Sequence, residues 1–287
     1  MTTIEAVRHF RGIILSKELF RRLRSRAAKA GLALLIFLTI SFIALPVVSL
    51  FVKSPLDTVL RSLSSPMVVD ALRLSLSTAA VSTLIVVILG TPLAYVNARF
   101  RYPGKEIADS AIDLPVIMPP AVAGIALLMA FGRMGVLGQH LNAMGISIAF
   151  TTLAVIIAQI FVSSPFFIRQ ARTSFEDVDL SIENAARTLG ASRAYTFLHV
   201  ILPIAFNGLV SGAIMAFARS LGEFGATIMF AGNFQGRTQT MPLAIYTAMQ
   251  GDLDAALCLA IILVIISFLV IFLVKALSRR VYENAGN

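Results

Sequence analysis

Charge-free apolar runs alternate along this chain with short basic segments. Gly31–Val52, Leu74–Tyr95, Leu114–Phe131, Ile146–Ile168 and Ala255–Val274 hold no Asp, Glu, Lys or Arg, and Val200–Ala218 is a sixth such run. A bilayer core about 30 Å thick needs about 20 apolar residues in helix. Backbone groups in lipid must be satisfied within the segment, so the pattern predicts helices. The runs are too long and too uniformly apolar for the ten-residue alternating strands of a barrel. The expected fold is an all-α integral membrane protein with six transmembrane helices.

The basic residues orient these spans. With the N-terminus in the cytoplasm, eighteen of the 24 Lys and Arg fall in inside segments and five in outside ones, and Arg219 alone lies at the end of a span. That asymmetry places both termini inside. Residues Glu5 to Lys29 interleave Phe10, Ile13, Ile14, Leu15, Leu19, Phe20 and Leu23 with arginines, the pattern of a helix lying on the membrane surface. No small-residue cleavage site follows Gly31–Val52, so the first span is expected to stay uncleaved. The expected layout is an interfacial or cytoplasmic N-terminal helix over 1–30, a six-span domain over 31–277 and a cytoplasmic tail over 278–287.

Composition agrees. The chain is 57% hydrophobic and 14% charged, with a mean hydropathy of +0.86; soluble domains carry about a quarter charged residues. The net charge of +9 is accounted for by basic segments facing anionic inner-leaflet lipid, without nucleic acid. One cysteine, Cys258, excludes an intrachain disulfide and a cysteine metal cluster. The histidines His9, His140 and His199 are far apart. No acid pair, Ser/His/Asp set or Cys/His set has a spacing that supports catalysis or a metal site, so catalytic and metal residues are expected to be none.

One polar interruption stands out: SIENAARTLGASRAYTFLHVILP, Ser181 to Pro203. Ser181 is a plausible N-cap and Glu183 sits in the first turn, where a negative charge suits the helix dipole. Asp177 and Asp179 read as solvated or capping residues. Ile182, Ala185, Ala186 and Leu189 recur at helical spacing, and Gly190 is a natural stop. A helix of about two turns cannot fold alone. Its narrow apolar stripe needs a surface, either a cytoplasmic partner or the protein's own inner face.

The spacing of Asn184, Ala185, Ala186, then Gly190, then Val200, Leu202 and Pro203 resembles the signature loop of the membrane subunits of binding-protein-dependent ABC importers. Asn184 stands where that family carries glutamate, with Glu183 next door, and Val200 replaces isoleucine. The segments LPVIMPPAVAGIALLMAFGRMGVLG (Leu114–Gly138) and ARSLGEFGATIMFAGNFQGRTQTMPLAIY (Ala218–Tyr246) are similar to the permease subunits for molybdate. Sulfate permeases are the neighbouring subfamily. The resemblance implies that Glu183, Asn184, Ala185, Ala186, Leu189, Gly190 and Pro203 belong to an ATPase-coupling loop. It also implies a dimeric ATP-binding cassette ATPase, a second copy of this chain and an external oxyanion-binding protein as partners, in a prokaryotic plasma membrane.

The chain has no Gly-x-x-x-x-Gly-Lys-Ser/Thr; Gly104-Lys105-Glu106 lacks both the glycine loop and the hydroxyl. No cofactor is therefore expected in this chain, ATP and magnesium being left to the partner ATPase. Pore or gate candidates are Pro119, Pro120, Arg219, Glu223 and Arg237. Pro119-Pro120 predicts a break in the third span, either lining the pore or serving packing. Arg219 and Glu223, four apart, predict a pair that either gates an anion route or holds helices together. Arg237 offers a guanidinium suited to an oxyanion. Gly208 and Gly212 allow close helix approach, within the subunit or between copies. The expected function is an oxyanion importer permease, for molybdate or tungstate. The alternatives are a sulfate or thiosulfate permease and, from another class, an ion-coupled secondary transporter using Arg219 and Glu223.

Overall fold

The computed structural model describes residues 26–54 and 65–285, and every regular element among them is a helix. The expected surface helix of the first 30 residues lies almost wholly outside the described residues. Residues 26–54 form one unit and residues 65–285 a second.

The first unit is a single helix, α1 (Arg26–Lys53), apolar on every side and largely exposed from Ala30 onward. A helix that is hydrophobic all round belongs in lipid or a large core.

The second unit opens with α2 (Pro66–Arg99). Ser65 caps it, its side chain accepting the Val68 N–H, and Pro66 occupies a first-turn position where no N–H is needed. Then come α3 (Lys105–Ile117), α4 (Pro120–Phe131), the short α5 (Gly138–Ala143) and α6 (Thr152–Glu176). After α6 the chain forms α7 (Leu180–Thr188) and α8 (Arg193–Thr196), passes through a wide π turn over Phe197–Ile201, and continues as α9 (Leu202–Leu221). Two short helices, α10 (Gly225–Ala231) and α11 (Met241–Met249), precede α12 (Leu253–Ala285). Residues 278–285 continue this last helix.

Among the described residues five helices are long and apolar enough to cross a membrane. Five of the six expected runs overlap them, the fourth run, Ile146–Ile168, becoming helical only from Thr152. The third does not. Leu114–Phe131 is expected to be one span, but the chain breaks at Met118–Pro119 and turns through 117° between α3 and α4. Pro119 is the N-cap of α4 and Pro120 its first residue, so the two prolines start a helix rather than bend one. α3 carries Glu106, Asp109 and Asp113, and α4 has 12 residues, about 18 Å at 1.5 Å per residue. The sixth span exists only if this bent pair is counted as one.

The centre of this unit is the packing of α6 against α2 and α9. Fully buried Phe167 and Phe175 of α6 fill it, with Ala94, Ala171, Ile201 and Ala216 around them. Gly208 lies against Ser174 with no room for a side chain, and a Cβ at Gly212 would come within 3.2 Å of Gln170 and Phe167. The Gly-x-x-x-Gly spacing thus serves packing inside the subunit, joining α9 to α6. A second core joins α4, α6 and α10 through Leu127, Val155, Val162 and Phe230.

Hydrogen bonds define two ends. At one, Met241 N–H donates to Ser75 Oγ (2.7 Å) and Thr152 Oγ1 donates to the Arg237 carbonyl (2.8 Å). At the other, Asn97 donates to Asp109 (3.0 Å), Arg172 pairs with Asp109 (2.9 Å) and Glu176 (2.8 Å), and Arg169 pairs with Asp113. This polar knot ties α3 to the ends of α2 and α6. α7 sits at the same end.

Candidate functional site

α7 is assembled from local signals that mostly agree with its sequence. Its N-cap is Asp179 rather than the expected Ser181: the carboxylate accepts the Ser181 N–H at 2.8 Å, and the helix begins at Leu180. An anionic acceptor serves the positive helix end better than a hydroxyl does. The same hydrogen bond holds the Asp179 carboxyl below its ordinary pKa. At the other end Gly190 has φ +88°. Its N–H reaches the Arg187 carbonyl (3.0 Å) and the Ala191 N–H reaches that of Ala186 (3.1 Å), the paired bonds of a Schellman stop.

The side chains of α7 divide in an inverted way. Glu183 faces the protein: Tyr95 Oη donates to it (3.3 Å), and Arg99 Nε lies 3.5 Å from its other oxygen. Arg99 is itself nearly buried, 8% exposed, and also donates to the Val178 carbonyl (2.7 Å). The apolar side chains face away, with Ile182 42% and Leu189 89% exposed. Asn184 and Ala185 are exposed and Ala186 is partly buried. Asn184, at the position where the family carries glutamate, is exposed, and its backbone carbonyl accepts a bond from the Thr188 hydroxyl (2.9 Å). The charge that anchors the helix comes from Glu183.

Beneath α7, Tyr95 meets Phe175 edge-on (5.5 Å) and Phe197 at 4.7 Å. Phe197 opens the π turn, whose closing bond runs from Leu202 N–H to the Phe197 carbonyl. Pro203 follows at once. It has no N–H, and its ring crowds the carbonyl four residues back, which a widened turn relieves. Tyr95 and Arg99 were not singled out in the sequence. Their partner Glu183 is 88 positions from Tyr95, and no periodicity connects them.

The pore or gate candidates gather in part. Arg219 and Glu223 form the expected pair (2.6 Å), with Glu223 1% exposed. Glu223 also accepts the Ala226 N–H at 2.8 Å, so it starts α10 as well as neutralising Arg219. Pro120 packs on Gly225, which brings the α3–α4 break beside this pair. Arg237 stands elsewhere, on the turn between α10 and α11.

The comparisons with known proteins decide the family. The model of the family described as "Binding-protein-dependent transport system inner membrane component" matches residues 87–283. The chain belongs to this family. Its α7, π turn and Pro203 fall within the matched residues, and the chain is a multi-pass membrane subunit. Among relatives, the molybdenum transport system permease protein ModB of Mycobacterium tuberculosis is 44% identical over 78% of this chain and 84% of its own length. ModB of Escherichia coli is 39% identical over 76% and 96%. The molybdate/tungstate permease protein WtpB of Pyrococcus abyssi is 41% identical over 67% and 73%. A bacterial ABC transporter that imports alginate has a chain of the same fold, with a TM-score of 0.72 over 92% of this chain and 99% of that one, at 16% identity.

Proposed function

We propose that this chain is the pore-forming subunit of an ATP-driven importer of molybdate or tungstate. Membership of the transport family carries the importer reading. The cargo follows from identities of 39–44% to relatives named for molybdenum transport. In this reading both termini face the cytoplasm and α7 is the coupling helix. Ile182 and Leu189 enter a groove on a separate ATPase subunit, while Glu183, Tyr95 and Arg99 fasten the helix to α2. An ATPase pair presents two grooves and this chain one helix, so two copies form the pore. An external binding protein delivers the anion. ATP binding draws the two α7 helices together and turns the pore outward; hydrolysis resets it. In this reading the Arg219–Glu223 pair and the α3–α4 break form the gate of the route, supported by the contact of Pro120 with Gly225 beside the pair. ATP and magnesium stay on the partner.

The test is reconstitution of the permease with its ATPase in liposomes. Hydrolysis should rise when binding protein loaded with molybdate or tungstate is added. A response to sulfate-loaded protein alone would make it a sulfate permease. Uptake that runs without ATP on an ion gradient would remove it from the class. Ile182→Asp with Leu189→Asp, both already exposed, should leave the subunit folded and abolish co-purification of the ATPase.

A further inference from the structure

Arg133 and Arg237 line one cavity at the end of the subunit opposite α7. Arg133 follows α4, and Arg237 lies on the turn that Thr152 of α6 anchors. The cavity is about 440 Å³ and its other walls are Ser147, Ala149, Phe150 and Phe234. At roughly 30 Å³ per water, that space takes an oxyanion together with part of its hydration shell.

Both guanidinium groups are exposed. Arg99, Arg169, Arg172 and Arg219 each have a carboxylate in ion-pair range, whereas neither Arg133 nor Arg237 has one among the described residues. Asp70 approaches the neighbouring Gly236 but forms no ion pair with Arg237.

The backbone around the cavity is fixed before any ligand arrives. The Phe234 carbonyl accepts the N–H groups of Arg237 (3.1 Å), Thr238 (2.8 Å) and Gln239 (3.0 Å), and the Phe234 N–H donates to Thr238 Oγ1 (3.0 Å). Thr238, Gln239 and Thr240 are buried. Across the cavity Phe150 is held at φ +62°, a left-handed conformation rare for a bulky residue, and its N–H donates to the Phe230 carbonyl (3.3 Å). Strain of this kind persists where surrounding structure imposes it, and it concentrates at ligand sites.

Two unneutralised guanidiniums on fixed backbone, with a hydroxyl beside them and water access, suit a tetrahedral oxyanion. Each offers paired donors to two oxygens of the anion. We infer that Arg133, Arg237 and Ser147 form an outer receiving site for the divalent oxyanion cargo, occupied between release from the binding protein and entry to the pore. This rests on the importer reading.

The complete transporter in liposomes tests it, with radiolabelled molybdate as probe and wild type beside Arg133→Gln, Arg237→Gln, the double variant and the double Arg→Lys variant. Losing charge-assisted hydrogen bonds should lower molybdate uptake at saturating binding protein about tenfold in the double Gln variant. The concentration of loaded binding protein giving half-maximal ATP hydrolysis should not move, and Lys should restore uptake only in part. Unchanged uptake overturns the site. So does a weaker response to binding protein with normal uptake at saturation, because the arginines would then hold the binding protein instead of the anion. Failure of the importer reading looks different: wild type itself would show no hydrolysis stimulated by loaded binding protein.

Discussion

Glu183 and Arg99 show how much depends on single side chains at the α7 end of the subunit. Arg99 is nearly buried, and its charge is matched by one carboxylate. Replacing Glu183 by Ala leaves that guanidinium without its charge partner, which costs about 1–3 kcal/mol for a buried polar group. Glu183→Gln keeps an acceptor for the Tyr95 hydroxyl and should cost less. Melting of the detergent-solubilised complex, followed beside hydrolysis per anion transported, should show both a lower melting temperature and looser coupling for Ala. An unchanged coupling ratio would mean that the anchor is dispensable. Asp179 makes a pH prediction. Its pKa is lowered by the bond from Ser181, so the folded form favours the ionised carboxylate. The cap is complete above the ordinary carboxylate range and is lost only as pH falls through the lowered value. Coupled hydrolysis should therefore keep its α7-dependent part from neutral pH to about pH 5. Asp179→Asn, also a good cap, should match wild type there, and Asp179→Ala should be weaker throughout.

The helices divide into those the sequence reveals and those it hides. Long uniform runs such as Leu74–Tyr95 and Ala255–Val274 announce themselves because lipid demands length and apolarity together. α7 was legible too: Glu183 and Gly190 mark a short helix whose capping chemistry is local. The α3–α4 break was legible only as a proline pair. Its 117° turn depends on α4 packing against α10, a contact between segments about a hundred positions apart that no local pattern encodes. The same holds for the split of α7 into an anchored polar side and a bare apolar side, since Arg99 and Tyr95 come from another helix. Two element-scale predictions follow from packing. Gly208→Ala should clash with Ser174 and cost about 1–3 kcal/mol, read as a lower melting temperature, and adding Ser174→Gly should recover part of it. Pro203→Ala restores an N–H and removes the ring, so the π turn over Phe197–Ile201 loses its cause. The variant should assemble with the ATPase normally yet transport fewer anions per ATP hydrolysed, and an unaltered ratio would make the turn a passive feature.

For the whole molecule the first question is which end faces which compartment. Arg133 and Arg237 stand at one end and α7 at the other, and the basic residues of the sequence weight the α7 end toward the cytoplasm. With the buried Cys258 changed to Ser, a cysteine placed at exposed Val136 should react with a membrane-impermeant maleimide on intact cells. One placed at exposed Leu189 should react only after the membrane is opened. The reverse pattern would invert the importer into something else. The exposure of Leu189 also bears on how such a subunit must be made. In the importer reading, a chain that holds Leu189 out to water on α7 is complete only in company. Made in excess over its motor, it would offer a sticky lip to other copies and to the cell's proteases. In that reading, balanced synthesis of the two polypeptides is a demand written into the shape of a nine-residue helix.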